Sequence, residues 1–314
     1  MTATVLAPPL TSANVNTELK LSLLSLAANL DRGQSYNPTS SDAYKERMAT
    51  ATKLVEALAA ASPPLPTSLD ALDGEWELVF TDVAHGIFRS SPFFLAIQQA
   101  YANDGVPEKA ELFFKLHELQ TCSWGTSKIG RVAQTIKAAE GMLYSEFDTN
   151  LLTLTAIPFL GFWKLLPTFG GCVITASTAK LVEGKIEMEV EYTNPSPKPT
   201  PEPIPIPKPN PEPNPNQVEY TTSRPVPGLS GLRPLPGDIG RKVADTIWNL
   251  KVPVGAIWKL LPWNGGRAPS CAVKLVYFDG DMRVVEDPSG DYFVYTRPVC
   301  ARSLDEKLAK LSGF

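Results

Sequence analysis

Two histidines and four cysteines are all that this chain offers a soft metal, and none is spaced to bind one. Cys122, Cys172, Cys271 and Cys300 form no CxxC pair, and His85 and His117 stand far apart, so a zinc site would need assembly from distant segments. Scattered buried thiols are one reading of the cysteines, and a single redox-sensitive disulfide is the other. No GxSxG, GxGxxG or phosphate loop occurs, and Ser90, Ser91 and Ser123 sit in no nucleophile motif. Basic charge is also lacking: a net charge of -4 gives no case for a nucleic-acid partner, which needs clustered Lys and Arg. No run reaches the roughly 20 apolar residues of a spanning helix. The longest, Ala156–Leu166, is broken by Pro158, Gly161 and Lys164. The amino end, MTATVLAPPLTSANVNTELK, has neither the basic and apolar regions of a secretory signal nor the Arg-rich pattern of a transit peptide. The expectation is a soluble or peripheral protein without a transmembrane segment, not an enzyme, with no metal and no required cofactor.

What remains is a 314-residue chain, 43% hydrophobic and 20% charged, with enough material for one large domain or two ordinary ones. Glu18–Asn29 reads as an amphipathic helix through Leu19, Leu23, Leu26 and Leu30, and Ser40-Ser41-Asp42 caps a second that runs to about Ala61. The two form a helical hairpin that buries too little alone, so residues 1–64 are expected to pack on the remainder of the chain, as a brace, a lid or a contact for a membrane or partner. From 65 to 314 the pattern is mainly β. In Leu72–Thr81, Trp76, Leu78 and Phe80 alternate with Glu75, Glu77 and Val79. A short helix is expected at Phe93–Tyr101. Strands are expected at Glu111–Thr121, Ile129–Ile136, Leu143–Phe147, Leu151–Ala156, Gly171–Ser177, Lys185–Tyr192, Ser270–Phe278, Met282–Glu286 and Tyr292–Thr296. That many strands in series fit a closed or nearly closed antiparallel barrel, which hides its edges and can enclose a small apolar ligand.

The last three strands, Val276–Arg297, are joined by tight turns at Asp279-Gly280 and Pro288-Ser289-Gly290, as in a meander. Trp76, Phe80, Phe113, Tyr277, Phe293 and Tyr295 are candidates to line a ligand pocket or to fill the core. Asp279, Asp281, Arg283, Asp287, Asp291 and Arg297 form the densest charged set. They suit ion pairs between the hairpins, and Arg283 or Arg297 could meet an acidic lipid head. No calcium loop or coordinated catalytic group is apparent among them.

Two further features stand outside this plan. Asn194–Asn216 places proline at nearly every second position among the chain's 30 prolines, which prevents helix and sheet alike. As polyproline II it could extend about 65 Å at ~3.1 Å per residue, either as a stiff insertion in the barrel domain or as an arm for an aromatic-lined partner groove. The second feature is a duplication, IPFLGFWKLLPTFGG at Ile157–Gly171 and VPVGAIWKLLPWNGG at Val252–Gly266. Phe162, Trp163, Lys164 and Leu165, with Trp258, Lys259, Leu260 and Trp263, read as two similar hydrophobic loops. Trp and Lys side by side suit a lipid surface. Plugging the barrel or docking a protein are the alternatives.

Several stretches resemble one family. Leu30-Asp31-Arg32-Gly33 is similar to its Asp/Thr-Arg-Gly element, and Leu72–Thr81 (LDGEWELVFT) to its first strand, L-x-G-x-W-x-L-x-Y/F-T. Gly130-Arg131-Val132 with Gln134-Thr135-Ile136 resembles its next marked strand. Tyr277-Phe278-Asp279, Asp281-Met282-Arg283-Val284 and Phe293-Val294-Tyr295 resemble its terminal Y-L-D-x-x-L-R-I and F-V-L pair. By these residues the chain resembles the plastid lipid-associated proteins of the PAP/fibrillin family, whose members have a lipocalin-like (calycin) barrel. It departs from them at Glu286-Asp287, where Arg-Gly is frequent, and at Ser145, where Asn is common. The resemblance implies non-catalytic, peripheral binding or stabilisation of isoprenoid, carotenoid or quinone-type lipids. It places the protein at thylakoid membranes of a cyanobacterium or plastid, or at plastoglobules. A bound carotenoid, quinone or other lipid and a photosynthetic membrane surface are the implied partners. An assembly role in a photosynthetic complex, through the proline arm and the Trp loops, is the alternative.

Overall fold

The computed structural model describes residues 12–34, 41–121, 127–151, 154–156, 163–165, 169–196, 253–260 and 266–298. Strand β1 (Gly74–Thr81) opens the sheet, followed by β2 (Ser127–Lys137), β3 (Met142–Leu151), β6 (Phe169–Val182) and β7 (Lys185–Ser196). The terminal strands β8 (Ser270–Phe278), β9 (Met282–Glu286) and β10 (Tyr292–Thr296) complete it. These eight close into a barrel in the order β1-β10-β9-β8-β7-β6-β3-β2, with every pairing antiparallel. Between β3 and β6, β4 (Leu154–Ala156) and β5 (Trp163–Leu165) form a separate two-stranded ribbon.

Two of the four register shifts in the barrel, those in β1 and β8, decide which of the sequence-predicted aromatic side chains enter it. In β9 and β10 the alternation is regular: Arg283, Val285, Phe293 and Tyr295 face inward, while Met282, Val284 and Val294 face outward. On β1 the register slips between Leu78 and Phe80, and on β8 between Leu275 and Tyr277. A bulge inserts one residue and reverses the side on which the next side chains emerge. Trp76, Leu78, Val273 and Leu275 therefore join the inner cluster, but Phe80 and Tyr277 emerge on the outside. The sequence alternation assigns Phe80 to the face of Trp76 and Leu78, and the bulge overrides it.

The outward residues are covered by the helical hairpin. Helices α1 (Ser12–Asn29) and α2 (Asp42–Ala60) lay Leu23, Ala27, Leu30, Ala51, Val55 and Leu58 on Phe80, Tyr277, Met282, Val284 and Val294. A 3-10 turn at Asp31–Gly33 fixes the angle. Arg32 Nη1 donates to the Gly130 carbonyl at 2.7 Å, and Gly33, at φ +85°, passes so close to the Thr81 carbonyl that any Cβ would overlap it.

After β1 the chain turns back. Helices α3 (Gly86–Arg89), α4 (Pro92–Asn103) and α5 (Pro107–Thr121) intervene before β2. Glu111–Thr121 is thus helical and not a strand. Pro107 starts the helix, and Ala110, Phe114 and His117 recur at helical spacing on its packed side. Helix α4 packs on β6, β7 and β8 and sets Leu95 against the inner cluster.

The two WKLLP copies take different conformations. Trp163–Leu165 is strand β5, whereas the second copy lies in helix α6 (Val254–Leu260), so the expectation of two similar loops does not hold. Helix α6 lies along β7, with Gly255 close to the Val190 and Glu191 carbonyls and Lys259 Nζ 3.4 Å from Glu189 Oε1. The proline stretch also begins later than the sequence suggests. Strand β7 continues through Asn194, Pro195 and Ser196, which pair with β6, while its pairing with β8 ends at Glu189. Pro195 lies beyond the stretch of β7 that pairs with β8, so it interrupts no ladder bond to that strand. The rest of the insertion lies outside the described residues.

Candidate functional site

Gln134 lies between Val132 and Ile136 on β2, and Ser145 between Leu143 and Phe147 on β3. Arg283 is two residues from Val285 on β9. Each is a polar residue in phase with buried apolar neighbours, and all three are buried. Register brings them close: Trp76 stands opposite Gln134, Gln134 opposite Ser145, and Arg283 opposite Tyr295. Arg283 Nη2 donates to Gln134 Oε1, and Gln134 Nε2 donates to the Ser90 carbonyl at 3.1 Å. The guanidinium centre lies 5.0 Å from the Trp76 ring and 4.4 Å from that of Tyr295.

No carboxylate among the described residues pairs with Arg283. Arg283 Nε and Ser145 Oγ are buried without a hydrogen-bond partner. Burial pulls the Arg283 pKa down to about 10, Tyr295 opposes the shift and the second cation Arg297 adds to it, so the group stays charged at neutral pH. The enclosed space here is about 10 Å³ and is bounded by Leu95, Met188, Val273 and Phe293 besides Ser90, Gln134 and Arg283. Space of that size holds about one water molecule. The space is nearly filled, and one of the side chains that bound it, Leu95, belongs to α4.

Trp76 is locked where the barrel strands begin. Its Nε1 donates to the Leu72 carbonyl at 2.8 Å, and Arg297 stacks on its ring at 3.8 Å while Nη1 donates to the Asp73 carbonyl at 2.6 Å. Gly74, at φ +97°, leaves room for that guanidinium, since a Cβ there would lie 2.9 Å from it.

The helical segment carries a second polar cluster. Arg89, 2% exposed, places Nη2 3.0 Å from Asp291, 3.2 Å from Glu111 and 3.9 Å from the fully buried Asp287 carboxylate. Gln98 Nε2 donates to Asp287 at 2.9 Å, tying α4 to the β9–β10 turn. Burial, then the neighbouring Asp287, pushes Asp291 up to about 6. Beside it, His85 Nε2 and His117 Nδ1 are 2.7 Å apart among Phe88, Phe94 and Phe113. Burial, with His117 and Arg89 nearby, lowers the His85 pKa to about 3.

Of the residues that sequence reading singles out, Trp76, Arg283, Phe293 and Tyr295 meet inside the barrel. Phe80 and Tyr277 lie under α1 and α2, and Phe113 is half-buried on α5 against Phe94. Trp258 is half-buried with its ring 6.2 Å from Phe93, and Lys259 is exposed and paired with Glu189. Trp163, Lys164 and Leu165 lie in β5 and Leu260 in α6, while Phe162 and Trp263 fall outside the described residues. Among the described residues no ion pair within the charged set joins the hairpins; Arg297 Nε instead donates to the Gly280 carbonyl at 3.3 Å. Asp279 pairs with Lys20 of α1 at 2.6 Å, and Asp287 and Asp291 reach Arg89. Cys271 is a free buried thiol, its pKa pushed up to about 12 by burial.

Sequence reasoning missed Gln134, Ser145, Arg89 and the histidine pair. The first two were detectable as polar residues in the apolar phase of a strand. The histidine pair was not, because 32 residues separate a turn position just before α3 from a position on α5, and only the fold brings them together.

No curated protein and no solved structure matches the chain. The PAP_fibrillin family model matches residues 17–103, which run from α1 through the Asp31-Arg32-Gly33 turn and β1 to the end of α4. Over that stretch, less than a third of the chain, the protein is similar to the PAP/fibrillin family.

Proposed function

We propose that this protein is a peripheral, non-catalytic lipid-binding protein of photosynthetic membranes. In this reading its barrel works in the lipocalin-like manner on an isoprenoid, carotenoid or quinone-type lipid. The family supports a lipid- or membrane-associated role of plastid type, and among the described residues no group of three or more His, Cys, Asp or Glu could hold a metal. No described helix is long and apolar enough to cross a bilayer. The observation that carries the proposal is the source of the filling: the small enclosed space inside the barrel is lined in part by Leu95 of α4, a segment outside the sheet, and not by its strands alone. A lipid enters this barrel by taking the place of α4 side chains. Helix α5 presents Leu112 and Leu116, 58% and 52% exposed and one turn apart, on the same helical segment, a suitable first contact with a bilayer.

The test is flotation with galactolipid vesicles carrying β-carotene and plastoquinone, followed by re-isolation of the protein and chromatography of what it retains. Retained lipid in near-stoichiometric amount is expected. A protein that neither floats nor retains lipid overturns the proposal. The filled interior favours a second reading, an assembly factor that uses the proline arm and α6 for protein contacts. In that case gentle co-purification recovers one stoichiometric partner, lost on deletion of residues 197–216, and vesicles recover nothing.

A further inference from the structure

A buried guanidinium without a carboxylate needs an explanation. Removing a charge from water costs several kcal/mol, and proteins ordinarily offset this with an opposite charge. Arg89 shows the ordinary solution in this same molecule, with three carboxylates within 4 Å. Arg283 has two aromatic faces and one amide oxygen, and the charged group that acts on it at neutral pH is a second cation, Arg297. Cation–π contacts contribute roughly 1–2 kcal/mol each and leave in-plane donors unused. Of the five N–H donors of a guanidinium, Nε is buried and unsatisfied, and a second unsatisfied group, Ser145 Oγ, lies on the residue opposite Gln134.

We infer that Arg283, with Gln134 and Ser145, forms an internal receptor for the carboxylate head of a long-chain amphiphile whose apolar tail takes the place of Leu95 and its neighbours on α4. The inference rests on the lipid-binding reading above and narrows it: an amphiphile that carries a carboxylate is bound in preference to its neutral counterpart. A carboxylate supplies what the site lacks. It gives a counter-charge for Arg283, an acceptor for Nε–H and an acceptor for the Ser145 hydroxyl, in charge-assisted bonds stronger than neutral ones. The enclosed space of about 10 Å³ is too small for the head while Leu95 is in place. Gln134 links the two states, because its Nε2 is bonded to the Ser90 carbonyl at the start of α4 and its Oε1 to Arg283. An anion on Arg283 competes for the amide that holds the helix in.

The test uses the full chain and two fluorescent probes of equal chain length, cis-parinaric acid and cis-parinaryl alcohol, with sodium acetate as the small-anion arm. The acid is expected to bind at least roughly tenfold more tightly than the alcohol, the ratio set by one charge-assisted pair. Arg283→Met should reduce that ratio to near one, and Ser145→Ala should lower it by about threefold. The wild-type ratio stands by itself if a variant fails to fold. Equal affinity for acid and alcohol overturns the anion site and leaves lipid binding intact, whereas binding of neither overturns both. A tenfold ratio that survives in Arg283→Met overturns the assignment to Arg283. If acetate raises the melting temperature and the acid adds nothing to it, the site takes a small anion only, and the amphiphile is overturned.

Discussion

Gly33→Ala tests the joint between the helical hairpin and the barrel. Gly33 holds φ at +85°, a conformation that costs an L-residue about 1–2 kcal/mol. Its Cα faces the Thr81 carbonyl, and an added Cβ would overlap that oxygen and stand 3.4 Å from Met48 Cε. Backbone cannot swing aside as a side chain can, so the 3-10 turn must lift off β1, an overpacking penalty of roughly 1–3 kcal/mol. The sum is about 2–5 kcal/mol, or a fall of roughly 10 °C in melting temperature for a domain of this size. Gly184→Ala is the control. Gly184 also has positive φ, +76°, but nothing lies within 4 Å of its missing Cβ, so only the conformational share applies, a fall of roughly 4 °C. Differential scanning calorimetry of both variants separates the two contributions. Equal shifts would show that the close approach to Thr81 contributes nothing, and the joint would then rest on the apolar contacts of α1 and α2 alone.

Three further outcomes are expected. His85, with its pKa lowered to about 3 from an ordinary 6.5, is neutral when folded and takes up a proton on unfolding, so stability is full above about pH 6.5 and declines as pH falls toward 3. Asp291, raised to about 6, works in the opposite sense but less strongly because it is part-exposed and paired with Arg89. Urea titrations across that range should show a net acid loss of up to about 4 kcal/mol that flattens or reverses in His85→Gln. Arg89→Met leaves the Asp287 and Asp291 carboxylates without their cation and should cost about 3–5 kcal/mol, against less than about 1 for Lys45→Met on the surface of α2, both read from urea midpoints. Trp76→Phe removes the donor to the Leu72 carbonyl and part of the ring under Arg297, and should cost about 2–3 kcal/mol by the same assay.

The strands and the helical hairpin were legible because each repeats its apolar residues at its own period. The turns at Gly280 and Gly290 adopt the positive φ, +92° and +90°, that their sequences suggest. Legibility ended where tertiary contacts decide. The bulges that turn Phe80 and Tyr277 outward leave no mark in composition, since the outer face there is as apolar as the inner one once α1 and α2 cover it. Helix α5 reads as a strand because Leu112–Leu116 is rich in residues that suit one, and only Pro107 and the helical spacing to His117 argue otherwise. The identical pentapeptide Trp-Lys-Leu-Leu-Pro places its first residues in a strand in one copy and in a helix in the other. Five residues do not fix a conformation against different neighbours. The candidate site was half legible: Trp76 and Arg283 stood out by type, while Gln134 and Ser145 required the register.

Whether Arg283 serves the fold or a ligand can be decided on stability alone. If it were a structural residue, the empty protein would depend on it. The energetics oppose this. Arg283→Met gives up two cation–π contacts and the hydrogen bond to Gln134, about 2–4 kcal/mol together, and returns the desolvation cost of an unpaired buried cation, which is of similar or greater size. The ligand-free variant should therefore unfold within about 1 kcal/mol of the parent, or later than it, although its preference for an acid is gone. Arg89→Met, equally buried but paired with carboxylates, should lose several kcal/mol. The contrast between the two arginines, measured in the same urea titration, separates a structural cation from a ligand-binding one. A loss above about 3 kcal/mol at Arg283 would place that cation in the structural framework and remove the thermodynamic reason for assigning it a ligand.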